Sequence, residues 1–358
     1  MMSIHPKRSC LARCFAAVAS VALSALLAQP TFASAATVAE IAAYTGPDRT
    51  QRLIESAKKE GELTLYTSMP VDDMTVLTTA FESKYGIKVK MWRAGSEKVL
   101  QRAVTEARGS RFDMDVVETN GPELEALHRE KLLQEVKSPF IADLIPQAVP
   151  PHREWIATRL NIFTQAYNTQ LVKKEDLPKT YQDLTSPKWK GKLGIEADDL
   201  DWFAMIVGEL GEQTGLKLFR DVVAKNDLSV RKGHTLLTNL VAAGEVPLAL
   251  TVYNYKAEQL KNKGAPVEWF VIPPAVARPN GVGVAKGAPH PHAAVLFYDF
   301  MLNEAQSLIL TRDYAPTSTK VETSLNKMPL KFVDPRVILD EGGKWEKLYA
   351  EIVTRQAQ

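Results

Sequence analysis

The sequence predicts an α/β fold of two lobes, each a mainly parallel sheet flanked by helices. Short apolar or β-branched runs alternate with amphipathic helical stretches along residues 36–358, which is the pattern of successive βα units. This stretch is too long for a single hydrophobic core, so two lobes are expected. A composition of 45% hydrophobic and 24% charged residues is that of an ordinary globular protein.

The first thirty-five residues have the features of an export signal. Three basic residues precede the apolar run Cys14–Leu27, and the small residues Ala33, Ser34 and Ala35 follow it. The run is shorter than the roughly 20 residues that span a bilayer as a helix. We therefore predict a cleaved signal peptide at 1–35 and a mature protein in the periplasm.

Composition excludes several classes of function. Both cysteines, Cys10 and Cys14, lie in the predicted signal, which excludes a disulfide scaffold, a thiol nucleophile and a thiolate metal site in the mature chain. Without the basic residues of the signal, the chain carries 41 basic and 42 acidic residues. This balance gives no electrostatic case for binding nucleic acid or a membrane surface.

Three consecutive βα units are predicted in the first lobe, with strands at 62–66, 87–92 and 115–117. Each strand ends in a polar or glycine-containing turn, and open α/β sheets bind ligands at this edge. Helix N-termini there favour an anionic or polar solute. The residues predicted to contact a solute from this lobe are Thr67, Ser68, Arg93, Gly95, Ser96, Thr119 and Asn120.

A strand within 158–171 is predicted to cross into the second lobe, and a strand at 281–285 returns to the first. Two strands of the second lobe, at 194–196 and 246–251, again end in polar or aromatic residues. The residues predicted to contact the solute there are Asp198, Asp199, Trp202, Tyr253, Asn254 and Tyr255. The predicted lobe boundaries are 36–157 plus 280–322 for lobe 1, and 158–279 plus 323–358 for lobe 2.

Four groups of residues, in order along the mature chain, resemble family 1 extracellular solute-binding proteins. They resemble in particular the ferric-iron-type branch of the type II periplasmic binding fold. The groups are Glu60–Ser68 with Phe81–Val89, Trp189–Gly194, Ala242–Pro247, and Gly287–Ala294 with Phe297–Leu302 and Ala305-Gln306. The resemblance implies crossing strands between two lobes, a ligand in the cleft and hinge closure around it. It also implies a monomer that serves the permease and ATPase of an ABC importer in the inner membrane.

The resemblance leaves the solute open, and ferric iron is one choice. Relatives in this branch bind Fe³⁺ through two adjacent tyrosines, because phenolates are hard donors for a hard cation. Here Asn254 separates Tyr253 from Tyr255, but side chains at i and i+2 of an extended chain point the same way. These two phenols are the predicted metal ligands if the solute is Fe³⁺, and no other cofactor is predicted.

Two other solutes fit the same residues. An organic or phosphorylated anion would bind the hydroxyl and amide donors of the first lobe, with Arg93 as a bidentate clamp. A cation such as thiamine would instead use Asp198, Asp199 and the aromatic face of Trp202.

Catalysis is not predicted. The sequence lacks a nucleophile elbow, a phosphate-binding loop and the ligand spacing of a zinc site. A periplasmic binding protein that reports to a histidine kinase or a chemoreceptor has the same sequence features, so a sensor role remains the alternative to transport.

Overall fold

The structure is a computed structural model and is described for residues 36–355. The export signal predicted at 1–35 lies outside these residues. Within the described part of the chain, the strands form one sheet in two halves. The strands are β1 Glu62–Thr67, β2 Lys88–Arg93, β3 Val116–Asn120, β4 Leu133–Gln134, β5 Trp155–Asn168, β6 Leu193–Glu196, β7 Ser229–Arg231, β8 Leu248–Tyr253, β9 Val267–Phe270, β10 Ala275–Ala285, β11 Ala315–Pro316 and β12 Leu330–Phe332.

Helices cover both faces of the sheet and alternate with most of its strands. They are α1 Val38–Ala43, α2 Arg49–Glu60, α3 Val71–Tyr85, α4 Ser96–Arg108, α5 Gly121–Arg129, α6 Leu200–Leu210, α7 Glu212–Asn226, α8 His234–Ala242, α9 Asn254–Asn262, α10 Pro291–Leu302, α11 Ala305–Leu310 and α12 Pro335–Tyr349. Short 3₁₀ turns join several of these elements, and a π-helical turn, Ala350–Thr354, follows α12.

The strand order β2-β1-β3-β10-β5-β8-β6-β7 divides the sheet into two parallel halves. Strand β1 is parallel to β2 and β3, and β6 is parallel to β7 and β8. Between the halves run β5 and β10, which pair with each other antiparallel. The first part of β5 pairs with β10 and its last part with β8 and β9, so this strand passes from one half to the other.

The crossing strands are buried along their whole length, all fourteen residues of β5 and all eleven of β10. Such continuous burial is typical of strands covered on both faces. Helices α2 and α3 end where glycine permits a left-handed backbone, at Gly61 with φ 77° and Gly86 with φ 70°. The two-lobed α/β fold with mainly parallel halves and crossing strands is confirmed.

The C-terminal segment contacts both halves. Helix α12 packs against α5 of the first half and α6 of the second. Arg129 of α5 bonds Asp340 of α12 at 2.7 Å, while Trp345 and Tyr349 of α12 pack edge-on to Phe203 of α6. The assignment of residues 323–358 to the second lobe, like the other lobe boundaries, stays a prediction. No helix within 36–355 has the length and apolar character needed to cross a membrane.

Candidate functional site

Four of the predicted first-lobe residues form two hydrogen-bonded pairs at the carboxyl edge of β1 and β3. The Thr119 hydroxyl lies 3.1 Å from the Ser68 hydroxyl. The Asn120 amide donates to the Ser96 hydroxyl at 2.8 Å and accepts from Asn280 of β10 at 2.9 Å. The turns after β1, β2 and β3 are therefore adjacent, and they meet crossing strand β10 at the same edge.

Three helices begin at this edge without a capping side chain. Pro70, Gly95 and Asn120 precede α3, α4 and α5, and none of them makes a side-chain hydrogen bond to its helix. Free N–H groups and the positive end of each helix dipole therefore point to the same side of the sheet. This combination favours a negatively charged group on the solute.

Arg93 and Gly95 lie at the rim of this edge. Gly95 is the N-cap of α4 and provides backbone rather than side-chain groups. The exposed guanidinium of Arg93 lies 3.3 Å from the carbonyl oxygens of Met69 and Ser68, so it folds over the end of β1.

A buried ion pair supports this edge from below. Arg159 of β5 is 2% exposed and donates from Nη2 to Oε1 of Glu118 at 2.8 Å and from Nη1 to Asn161 at 3.0 Å. The hydroxyl of Thr67, which is fully buried, donates to the other Glu118 oxygen at 2.5 Å. Thr67 therefore stabilises the ion pair. The Nε of Arg159 has no hydrogen-bond partner.

A second buried arginine, Arg278 of β10, organises the second-lobe side. Its Nε and Nη2 both donate to the carboxylate of Asp201, and Nη2 lies 3.4 Å from Asp199 Oδ1. Its Nη1 donates to the hydroxyl of Tyr253 at 2.6 Å, and its guanidinium lies 4.7 Å from the ring centre of Phe163. Asp199 and Tyr253 are thereby brought together.

Asp198 and Trp202 do not join this group. Asp198 is exposed and pairs with Lys232 at 3.0 Å. Trp202 is 1% exposed and packs edge-on to Tyr181 and Phe219, because α6 begins at residue 200 and turns position 202 toward the core. The indole ring therefore offers no face to a solute in this structure.

The three-residue segment Tyr253-Asn254-Tyr255 is not extended. The prediction that the side chains of Tyr253 and Tyr255 point the same way because they alternate along a strand is therefore wrong. Tyr253 ends β8, and α9 begins at Asn254. The rings of Tyr253 and Tyr255 are nevertheless stacked, with centroids 5.8 Å apart and planes 21° apart. A third ring, Tyr314, continues the stack 4.0 Å from Tyr255.

Burial raises the pKa of all three phenols, and it raises that of Tyr253 and Tyr314 well above the usual range. The charge of Arg278 opposes the shift at Tyr253, and that of Arg159 opposes it at Tyr255. Without a bound cation they are neutral phenols.

Several buried polar atoms around these groups have no hydrogen-bond partner. Such atoms cost free energy in a folded protein unless a ligand or water pairs with them. Asn254, for example, is 2% exposed and donates to the carbonyl of Asp313 at 3.3 Å, but its Oδ1 is unpaired. The unpaired atoms here are Arg159 Nε, Asn254 Oδ1, Asn280 Oδ1, Asp199 Oδ2, His234 Nδ1 and Glu123 Oε2.

Glu123 lies in the first turn of α5 and faces the second-lobe charges. Burial raises the pKa of its carboxyl from 4.5 to about 7, while the charge of Arg278 lowers it and that of Asp201 raises it further. The buried charges of Arg278 and Asp201 therefore both act on this carboxyl group.

Two groups of side chains in the described part of the chain have the composition of metal sites. One, Glu196 with Asp199 and His234, lies beside Tyr253. The other, Glu125 with His128 and His152, lies on α5 and the segment before β5.

The model of the bacterial extracellular solute-binding protein family matches residues 67–307 of this sequence. The chain belongs to this family. The resemblance read from the sequence is therefore confirmed.

Curated relatives of this solute-binding protein include two named for iron. Iron uptake protein A1 of Synechocystis is 24% identical over 296 residues, which cover 78% of this chain and 82% of that protein. The Fe(3+)-binding periplasmic protein of Serratia marcescens is 24% identical over 299 residues, covering 79% and 87%.

Solved structures share the fold. Iron-bound HitA from Pseudomonas aeruginosa is 24% identical with a TM-score of 0.71, and AfuA from Actinobacillus pleuropneumoniae with bound fructose-6-phosphate is 24% identical with a TM-score of 0.72. Each alignment covers 82% of this chain and 99% of the other.

The sequence interpretation missed Arg159, Arg278 and Tyr314. Both arginines interrupt apolar strands, and a charged residue inside a buried strand indicates an ion-pair partner. That signal was present, but the partners could not be identified without the register of β5 and β10. Tyr314 follows α11 and had no comparable signal.

Proposed function

We propose that this solute-binding protein is the periplasmic component of an ABC importer and that it closes on a small hydroxylated anion, phosphorylated or carboxylated. The observation that carries the proposal is the meeting of three uncapped helix N-termini at the first-lobe edge. Ser68, Ser96, Thr119 and Asn120 line the same edge with neutral donors. Such groups hold an anion without adding a competing negative charge.

Free acceptors support the hydroxylated part of the proposal. The amide oxygens of Asn254 and Asn280 are unpaired, and their amide nitrogens are already engaged. An amide oxygen can only accept a hydrogen bond, so each of these atoms calls for a donor. A solute with hydroxyl groups beside its anionic group would satisfy them, as a sugar phosphate of the kind bound to AfuA would.

Binding without chemistry fits the charged groups of the second lobe. The Asp201 carboxylate is held by two nitrogens of Arg278, and Asp199 contacts the same guanidinium. Both carboxylates already accept hydrogen bonds from this guanidinium, which holds them in fixed positions. The proposal includes cleavage of the signal at 1–35, a monomer in the periplasm, the lobe boundaries given above, and delivery to a permease with its ATPase.

Ferric iron is the second candidate, favoured by the stacked phenols of Tyr253 and Tyr255 and by the names of the iron-binding relatives. Arg278 donates to the Tyr253 oxygen at 2.6 Å and would stabilise a phenolate there. A thiamine-like cation is not proposed, because the Trp202 ring that would stack on it is in the core.

Native mass spectrometry with metal analysis, on protein purified from the periplasm without chelators, tests the proposal. We expect a bound organic anion and no iron. If the protein instead carries iron, with a visible tyrosinate absorption that disappears in a Tyr253→Phe/Tyr255→Phe variant, the solute is ferric iron and the proposal of an anion is wrong.

With the solute identified, Ser68→Ala should weaken binding by about 0.5–1.5 kcal/mol through one lost hydrogen bond. Ser83→Ala, on an exposed position of α3, is the control and should bind normally. Equal binding by both variants would mean that the solute does not reach the end of β1.

A further inference from the structure

A histidine and two carboxylates come together in the second lobe. Glu196 ends β6, Asp199 precedes α6, and His234 begins α8. One ligand atom from each of the three lies within 4.8 Å of the other two. Glu196 and Asp199 are 3% and 1% exposed, and the His234 side chain is 15% exposed.

Two atoms of this group lack a hydrogen-bond partner. The His234 Nε2 lies 3.2 Å from Asp199 Oδ1, which leaves Nδ1 of the ring and Oδ2 of the carboxylate unpaired. Both are buried, so neither is satisfied by bulk water. A ring nitrogen and a carboxylate oxygen without partners, on two side chains already in contact, leave donor atoms that a cation could use.

The group also has an excess of buried negative charge. The carboxylates of Glu196, Asp199 and Asp201 are all buried, but the one guanidinium beside them, that of Arg278, contacts only Asp199 and Asp201 and gives two of its nitrogens to Asp201. The ammonium group of Lys232 pairs with Asp198 instead. Burying carboxylates without a compensating cation is costly.

The backbone fixes the Glu196 carboxylate without neutralising it. Its Oε1 accepts the N–H of Gly233 at 2.7 Å, and its Oε2 accepts the N–H of Asp198 at 2.5 Å. The ring of His234 is held in turn by Tyr253, with ring centroids 3.8 Å apart. The donors are therefore held in place before any ion arrives.

We propose that Glu196, Asp199 and His234 bind a divalent transition-metal ion. An imidazole nitrogen with carboxylate oxygens suits ions such as Zn²⁺, Co²⁺ and Mn²⁺, and the imidazole disfavours Ca²⁺ and Mg²⁺. The site is distinct from a ferric site built on phenolates, because no tyrosine supplies a ligand. It does not depend on the proposed solute, since the metal alone is sufficient to test it.

The second histidine group provides a matched control. There, His128 Nδ1 contacts Glu154 at 2.7 Å, His152 Nε2 contacts Glu125 at 3.0 Å, and His152 Nδ1 accepts the N–H of Glu154. Its polar atoms are mostly paired with each other, in contrast to those of the group at Asp199. A His128→Gln/His152→Gln variant removes this group and leaves the proposed site intact.

The experiment is a Co²⁺ titration of chelator-treated, solute-free protein, followed by calorimetry and by the visible d–d absorption. We expect one ion per chain in the wild type, in His128→Gln/His152→Gln and in Tyr253→Phe. We expect binding at least tenfold weaker in Asp199→Asn and His234→Gln, with Glu196→Gln as the third variant if either fails to fold.

Three results would overturn the proposal: no Co²⁺ binding by the wild type, unchanged affinity in the Asp199 and His234 variants, or loss of binding in the His128/His152 or Tyr253 variants. None of them bears on solute capture, which is measured separately by the native mass of the complex.

Discussion

The ring of Tyr255 stacks on that of Tyr314, with centroids 4.0 Å apart and planes 28° apart. Tyr255 belongs to α9 of the second lobe, whereas Tyr314 follows α11, which packs on α3 of the first. Beside this stack, Gln259 of α9 donates to Asp73 of α3 at 3.2 Å, and the Tyr314 hydroxyl donates to the same carboxylate at 2.8 Å. These contacts join α9 to α3 and to the segment that follows α11.

Tyr255→Ala should shift the solute-free protein toward an open form. The substitution removes the stacked ring, and an aromatic pair contributes about 0.5–1.5 kcal/mol beyond its buried area. Small-angle X-ray scattering without solute should therefore give a larger radius of gyration than for the wild type. Tyr255→Phe keeps the ring and should scatter as the wild type does. If the alanine variant also matches the wild type, this stack does not contribute to closure.

Arg159→Met should destabilise the protein strongly. It leaves the Glu118 carboxylate, which is fully buried, without its guanidinium, and breaking a buried pair in this way costs about 3–5 kcal/mol. The exposed pair of Arg52 with Asp48 provides the control, since Arg52→Met should hardly change the free energy of unfolding. Chemical denaturation measures both. A similar loss in the two variants would contradict a structural role for the buried pair.

The parts of the site that follow directly from a strand end could be predicted from the sequence. Ser68, Ser96, Thr119 and Asn120 were found this way, because parallel βα units place the ends of their strands at one edge. Arg159 could not be placed, because its partner Glu118 is on another strand and their contact depends on β5 crossing the sheet.

The predicted side-chain directions of Tyr255 and Trp202 were wrong because the helix that contains each residue begins at a position that was not predicted. Helix α9 begins directly after Tyr253, so the extended geometry assumed for Tyr255 does not exist. At Trp202 the helix phase decides the side-chain direction. A start at Leu200 places the indole ring in the core, whereas the preceding Asp199 and Asp201 contact Arg278. Neither N-cap residue, Asp199 of α6 or Tyr253 of α9, makes a side-chain hydrogen bond that fixes the start of its helix.

Glu123 should make the stability of the protein depend on pH. Burial raises the pKa of its carboxyl from 4.5 to about 7 in the folded state, so the folded protein holds this proton more tightly than the unfolded chain. Its contribution is therefore fully present below pH 4.5 and is lost as the pH rises through 7.

The size of this contribution is on the order of 1–3 kcal/mol, since one pKa unit corresponds to about 1.4 kcal/mol. Glu123→Gln removes the titration, so the free energy of unfolding of the variant relative to the wild type should rise between pH 4.5 and 7. Denaturant titrations of the two proteins across this range give the difference. A difference that is constant with pH would mean that the carboxyl ionises normally in the folded protein.

Gly281→Ala should disturb the crossing strands. Gly281 lies at the irregularity in the pairing of β10 with β5, and a Cβ there would be 2.2 Å from the carbonyl oxygen of Ile156 and 2.9 Å from Cα of Ala157. Both neighbours are backbone atoms of β5, so the strands must separate, at a cost of about 1–3 kcal/mol or more. The neighbouring Asn280, whose amide supports Asn120 at the solute edge, would move with them.

Gly208→Ala is the matched control, because a Cβ at that exposed position of α6 meets no atom within 4 Å. Alanine there should stabilise the helix by about 0.5–1 kcal/mol. Thermal unfolding should therefore shift in opposite directions for the two variants, and only Gly281→Ala should also weaken solute binding. If Gly281→Ala melts at the wild-type temperature, β5 and β10 can separate at this position without loss of stability. Their close approach is then not a constraint on the crossing strands.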